Sequence, residues 1–353
     1  MVGSKWIKFV DAFEGVELTY YAFPYNAGVA QDILDISKRI LDFYISLFGH
    51  YPHEGLIIFD TQLEYSFANN GVVGLWVGAG PTDVDYLVRN NEIYQSATGG
   101  PVGVENVSYW AGIPLWTDLT LAHEIAHQWW GGHGGVKRLR PPENDNWLSE
   151  GFANYAMCMY ALSYYGTPWR MANFSWIHMA NLRENDEPLS DTNVLQLSKG
   201  ALVPRMLQYL FMVNVSEGAF FDALKDVQHL FSNKPLSTPD FQKIMENHYG
   251  EKLDWFFDTW YWGTGYPEFE CEWIGNNTAR IQNSGTVHSS INITLVTNNG
   301  EETKTVWIGK GEIKYVVFDQ IGTPLKLLID KDDWVPEENE DNNEVDINPN
   351  FAS

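Results

Sequence analysis

The stretch His123-Glu124-Ile125-Ala126-His127, inside LAHEIAHQWWGG, has the residue types and spacing of a metal-dependent hydrolase. Two histidines four residues apart on a helix lie on one face, one turn apart, so both imidazoles can reach one ion. Glu124 falls beside that face, where it can hold a water without ligating the metal. Zinc requires at least a third protein ligand and one position left open for water. The candidate is Glu150 in Trp147-Leu148-Ser149-Glu150-Gly151-Phe152-Ala153, which opens a helical pattern behind apolar Trp147 and Leu148. A carboxylate in a first helical turn is favoured by the dipole; the plainer alternative for Glu150 is a capping glutamate. Glu143 and Asp145 are nearer in sequence but lie in the polar PPENDN loop and read as solvated. Asn154, one turn after Glu150, is a candidate acceptor for a ligating imidazole or else an exposed helix residue.

Several elements must hold these residues. Extended segments such as VELTYYAF precede a helix in which Ile33, Leu34, Ile36, Ile40, Leu41, Tyr44, Ile45 and Phe48 recur at helical spacing, with Gly49 to stop it. GLIIFD and GVVGLWVGAG read as short buried strands. Residues 79–115 are rich in Gly, Pro, Asn and Asp and read as a long loop or insertion. Thr117 or Asp118 can cap the helix that carries the histidines. SEGFANYAMCMYALSYY is apolar at helical period and closed by Gly166. Further helices run through KGALVPRMLQYLFMV, with a kink expected at Pro204, through EGAFFDALKDVQHLF, and onward from Thr238 as cap with Pro239 in the first turn. Past Pro267 the pattern changes to period two, and about six strands form an antiparallel β-sandwich over residues 268–335. The acidic, Asn-rich residues 336–353 read as a disordered tail.

The chain has 353 residues, enough for two or three packed units, and 44% hydrophobic with 15% aromatic residues mark it as globular. With 46 acidic against 22 basic residues the net charge is -24, which argues against nucleic acid or anionic membrane as a partner. No apolar run approaches a membrane span, and MVGSKWIKF has no hydrophobic signal core. Acidity and the sequons at Asn106, Asn173, Asn214, Asn276 and Asn292 favour an extracellular over a cytoplasmic setting, with any leader already removed. Cys158 and Cys271 fall in different segments and read as two buried thiols.

HEIAHQWWG followed by WLSEGFANY closely resembles the gluzincin aminopeptidases of the membrane alanyl aminopeptidase family. In that family an His-Glu-x-x-His helix precedes a Trp-Leu-Asn-Glu-Gly-Phe-Ala helix. FGHYPHEGLIIFD, SKGALVPRML and WGTGYPEFE resemble further family segments, so the likeness covers about residues 20 to 330. It implies Zn²⁺ bound by His123, His127 and Glu150, Glu124 as general base and later proton donor, and peptides as substrates. It also implies an α+β fold: a thermolysin-like zinc peptidase domain, mixed sheet lobe plus helical lobe, followed by the small antiparallel β-sandwich. The lobe with both metal-site helices would be 1–166 and the helical lobe 167–267. Family members usually begin with a large β-domain, and this sequence reads as a divergent member without it.

Three departures bear on function. The family's usual spacing puts the third ligand at Asn146, one turn before Glu150, and an inter-helix loop absorbs the added residues cheaply. Family exopeptidases carry a Gly-x-Met-Glu-Asn strand whose glutamate binds the substrate's free amine; here Gly71 takes that position. Gly103-Val104-Glu105-Asn106 looks like a displaced version, although Glu105 reads better as a polar loop residue. The family's oxyanion tyrosine is replaced by Leu197, with His133 or Tyr155 as substitutes that read better as packing residues. Two expectations follow: an active zinc peptidase, aminopeptidase-like or an endopeptidase lacking the amine anchor, or a zinc-binding, weakly active scaffold that binds partners.

Overall fold

The computed structural model describes residues 6–63, 65–76, 115–131, 136–137, 145–166, 187–191, 199–319 and 322–347. Strands β1 (Ile7–Phe13) and β2 (Val16–Ala22) pair antiparallel. Helix α1 (Ala30–Phe48) then crosses over to β3 (Gly55–Thr61), which runs parallel to β2. Along α1, Ile33, Leu34, Ile36, Ile40, Leu41, Tyr44 and Phe48 are buried and Ile45 is partly so, and Gly49 ends it at φ 90°. Next, β4 (Phe67–Asn69) and β5 (Val72–Trp76) form a hairpin, with β5 parallel to β3. The sheet order is therefore β1-β2-β3-β5-β4, with β4 antiparallel on the edge. The hairpin turns on Asn70-Gly71, both left-handed at φ 40° and 76°, the conformation a two-residue Asn-Gly turn requires.

Six more helices follow among the described residues: α2 (Leu115–Ala126), α3 (Glu150–Tyr165), α4 (Lys199–Asn214), α5 (Glu217–Phe231), α6 (Thr238–Tyr249) and α7 (Asp254–Trp260). Helix α2 packs between α1 and α3, and α3 packs on α4. Short strands β6 (Trp130–Gly131) and β7 (Val136–Lys137) run parallel between α2 and α3. Pro204 lies inside α4. No helix of the described residues is long and apolar enough to cross a membrane.

The C-terminal part holds β8 (Phe269–Gly275), β9 (Thr278–Asn283), β10 (Ser289–Thr297), β11 (Gly300–Ile308), β12 (Ile313–Val317), β13 (Pro324–Ile329) and β14 (Glu344–Asp346). They form two antiparallel sheets, β11-β10-β13-β14 and β12-β9-β8. Phe269, Ile281, Ile293, Leu295, Leu327 and Ile329, from both sheets, are buried in the apolar core.

Five local expectations change. Residues 336–347, assigned by composition to a disordered tail, are folded against the sheets. Glu337 is fully buried, accepts from the Phe269 N–H at 3.0 Å, and β14 adds to β13. Composition registers the acidity of this segment but not the buried amide that one of its carboxylates meets. The cap of α6 is Ser237, whose hydroxyl accepts from the Asp240 N–H, one residue before the expected Thr238. Asp118 does not cap α2. It is buried in the first turn and takes hydrogen bonds from Arg39 at 2.8 Å and from Tyr160 and Tyr165, joining α1, α2 and α3. Asp145, expected to be solvated, is buried too, and accepts from Thr238 and Tyr261. Of the two thiols, Cys158 is buried and Cys271 only partly so.

Candidate metal centre

Helix α2 delivers His123 and Glu124 from its last turn, and His127 stands in the turn just beyond Ala126. That turn tightens, with the Gln128 N–H bonding Ile125 O and the Trp129 N–H bonding Ala126 O, each at 3.0 Å. The two rings remain neighbours, 4.9 Å apart and nearly perpendicular. Glu150 enters from the first turn of α3, after the buried 3-10 turn Asn146–Leu148. Asn146 itself opens that turn.

Three atoms converge. His123 Nε2 and His127 Nε2 are 3.2 Å apart, and Glu150 Oε2 lies 3.6 Å from the first and 3.4 Å from the second. A tetrahedral zinc with Zn–N near 2.05 Å and Zn–O near 2.1 Å sets its ligand atoms about 3.4 Å apart. The three edges match that tetrahedron to about 0.2 Å, the tolerance expected of a metal site. Among the described residues this is the one cluster of three His, Cys, Asp or Glu side chains close enough to share an ion.

The ring tautomers agree with that fit. His123 Nδ1 lies 2.9 Å from Asn154 Oδ1, and His127 Nδ1 lies 3.0 Å from the main-chain oxygen of Trp130. Both acceptors are oxygens without hydrogens to give, so in its neutral form each ring carries its proton on Nδ1 and leaves Nε2 to ligate. Two bare ring nitrogens at 3.2 Å repel unless a proton or a cation lies between them. Asn154 thus faces the His123 ring rather than standing exposed on its helix; Ser149 Oγ, 3.4 Å from His127 Nδ1, was not signalled by sequence.

Electrostatics separates the two glutamates. Burial raises the Glu124 carboxyl, Glu150 adds to the rise, and the two imidazoles offset part of it. Burial acts the same way on Glu150, but hydrogen bonds and charge from His123 and His127 outweigh it and hold Glu150 well below the carboxylate range. For His127, burial would lower the imidazole, yet Glu150 beside it brings it up to about 9. The two carboxyls are thus pushed apart, Glu124 upward and Glu150 downward. Glu124 is buried at 7% exposure.

Gly71 lies in the β4–β5 turn, and its N–H donates to Gln128 Oε1 at 2.6 Å, tying the sheet edge to the end of the histidine helix. At φ 76°, with a Cβ falling 2.9 Å from the Gly55 carbonyl oxygen, this position excludes any side chain, including an amine-binding glutamate. Tyr155 is fully buried and donates to Gln208 Oε1 at 2.9 Å, so it packs α3 on α4 and faces no substrate. Glu105, His133, Glu143 and Leu197 lie outside the described residues.

Residues 115–260 match the peptidase family M1 domain. The chain is 23% identical over 295 residues to tricorn protease-interacting factor F2 of Thermoplasma volcanium, covering 76% of this chain and 34% of that protein. It is 24% identical over 279 residues to glutamyl aminopeptidase of Bitis rhinoceros, covering 73% of this chain and 26% of that protein. Among solved structures, aminopeptidase A of Legionella pneumophila in complex with aspartic acid shares the mixed α and β fold. Its TM-score is 0.65 at 14% identity, over 92% of this chain and 37% of that one. The chain therefore spans about a third or less of the length of these relatives. The histidine helix, Glu150 and every helix from α2 to α7 fall inside the segment that matches the peptidase family M1 domain.

Proposed function

We propose that this protein is a zinc-dependent peptidase that cleaves peptides, aminopeptidase-like in its chemistry. The observation that carries the reading is the convergence of His123 Nε2, His127 Nε2 and Glu150 Oε2 on a tetrahedral edge length, with both Nδ1 atoms already committed to oxygen acceptors. We read the five-stranded sheet with α2 and α3 as a thermolysin-like lobe, α4 to α7 as its helical partner, and the two C-terminal sheets as the β-sandwich.

His123, His127 and Glu150 would hold the ion, which supplies Lewis acidity: it polarises the scissile carbonyl and eases deprotonation of a water. Glu124 takes that water's proton; its buried, raised carboxyl is suited both to accept it and to return it to the leaving amine. Ionised Glu150 keeps the donor set anionic, and Asn154 and the Trp130 carbonyl keep both imidazoles in the ligating tautomer. Gly71 favours a second specificity beside the aminopeptidase one: with no side chain possible there, a groove that does not require a free amine would accept internal peptide bonds.

Metal analysis with aminoacyl and internally quenched peptide substrates tests both. One zinc per chain is expected, lost in Glu150→Ala. Glu124→Gln should keep the zinc and cut turnover by roughly 10² to 10⁴-fold. A zinc-loaded protein that cleaves neither substrate class, and that Glu124→Gln leaves unchanged, is a scaffold and not an enzyme. An N-acetylated peptide cleaved as well as its unblocked twin would assign endopeptidase specificity.

A further inference from the structure

The two candidate imidazole ligands are oriented by different means. His127 gives its Nδ1 hydrogen to a main-chain carbonyl three residues on, an acceptor that no substitution removes. His123 gives its own to a side chain, Asn154 Oδ1 on α3. The orientation of that amide decides the chemistry of the ring. With Oδ1 facing Nδ1 the proton sits on Nδ1 and Nε2 is free to ligate. With the amide reversed, Nδ1 would have to accept, the proton would move to Nε2, and His123 would be lost as a ligand.

We propose that Asn154 is a positioning residue that makes His123 a metal ligand by fixing its tautomer and ring direction. The inference rests on the zinc reading above and deepens it. Asn154 lies four residues after Glu150, so both side chains stand on one face of α3. A single helix thereby supplies the third ligand and orients the first, and the metal site is built on the α2–α3 contact rather than on α2 alone. Because the acceptor is an amide, it fixes the tautomer without adding a negative charge to the site.

The experiment is competition for zinc between the full-length chain and a chromogenic chelator, with thermal unfolding of each variant as a check on folding. Asn154→Leu keeps the size and removes the acceptor, and zinc should bind roughly 10 to 100-fold more weakly. Asn154→Asp keeps the acceptor and adds charge, and zinc should bind at least as tightly as in the wild type. If Asn154→Leu does not fold, Asn154→Ser, too short to reach Nδ1, takes its place with the same expected loss. A folded Leu or Ser variant within twofold of wild type overturns the proposal, as does an Asp variant as weak as Leu. A wild-type chain that takes up no zinc overturns the metal reading as well. Zinc uptake indifferent to residue 154 overturns only the role given to Asn154.

Discussion

Gly151→Ala places a methyl group where α3 and α4 touch, one residue from a metal ligand. A Cβ at residue 151 would lie 2.5 Å from both the carbonyl carbon and oxygen of Gly200 and 2.9 Å from its Cα. Ordinary contacts between such atoms are about 3.5–4.0 Å, so the two helices must move apart by roughly 1 Å. Alanine gains up to about 1 kcal/mol of helix propensity over glycine, but overpacking of this kind costs roughly 1–3 kcal/mol, and the obstacle here is backbone, which cannot rotate away. The net expectation is a loss of stability read as a lower urea midpoint in metal-free protein. The larger effect should be on metal: ligand distances tolerate only about 0.2 Å, and a 1 Å shift of the first turn of α3 carries Glu150 out of range. Zinc competition should therefore show a greater loss than unfolding does. Gly200→Ala is the matched control. Its Cβ would meet Gly151 Cα and Trp147 Cβ at 3.2 Å, a conflict of a few tenths of an ångström that the propensity gain offsets. A Gly151→Ala protein with wild-type zinc affinity and an unchanged urea midpoint would refute the claim that this helix contact sets the position of Glu150.

Asp145→Ala leaves the Thr238 N–H and hydroxyl and the Tyr261 hydroxyl without their buried acceptor; a destabilisation of about 3–5 kcal/mol is expected in urea unfolding. A cost under about 1 kcal/mol would mean that water reaches those donors. For Glu337, burial, with Glu340 and Asp330 adding to it, raises the carboxyl above its ordinary value of 4.5. A raised carboxyl contributes its stability in full below the ordinary value and loses it as pH climbs through the raised one. Glu337→Gln should thus stabilise the protein at neutral pH, by a margin that closes as pH falls toward 4.5; a margin constant between pH 8 and 5 would count against the buried carboxyl as its source.

The histidine helix, α1 and the period-two strands were legible because their signals are local: a four-residue spacing, a buried stripe, an alternation. Glu150 was legible through its apolar flank and the Trp-Leu-Ser-Glu-Gly-Phe-Ala likeness, since neither its distance from His127 along the chain nor its carboxylate singles it out from Glu143 or Asp145. What sequence could not show is how polar groups are spent across distance. Asp145 looked like a loop residue because nothing near it in sequence reveals Thr238 and Tyr261 closing over it. Asp118 looked like a cap because Arg39 comes from another helix. The Asn70-Gly71 hairpin is the exception among the long-range features, because its turn signal is contained in two adjacent residues.

The same residues show why position 71 carries no side chain while the His123, His127 and Glu150 cluster stays intact. Gly71 is fixed by two backbone demands: its left-handed turn, and an N–H that Gln128 holds at 2.6 Å directly after His127. Its carbonyl also accepts from the Ile57 N–H at 2.7 Å, so the turn is bonded to the sheet on one side and to the histidine helix on the other. A side chain introduced there would meet the Gly55 carbonyl and displace the turn, and through Gln128 the displacement would reach His127. The geometry of the histidine cluster and a side chain at residue 71 thus compete for one place at the sheet edge, and the backbone leaves no room for the side chain. Any group that selects a free amine must therefore stand elsewhere than residue 71. Restoring a glutamate by Gly71→Glu should weaken zinc binding rather than create amine selectivity.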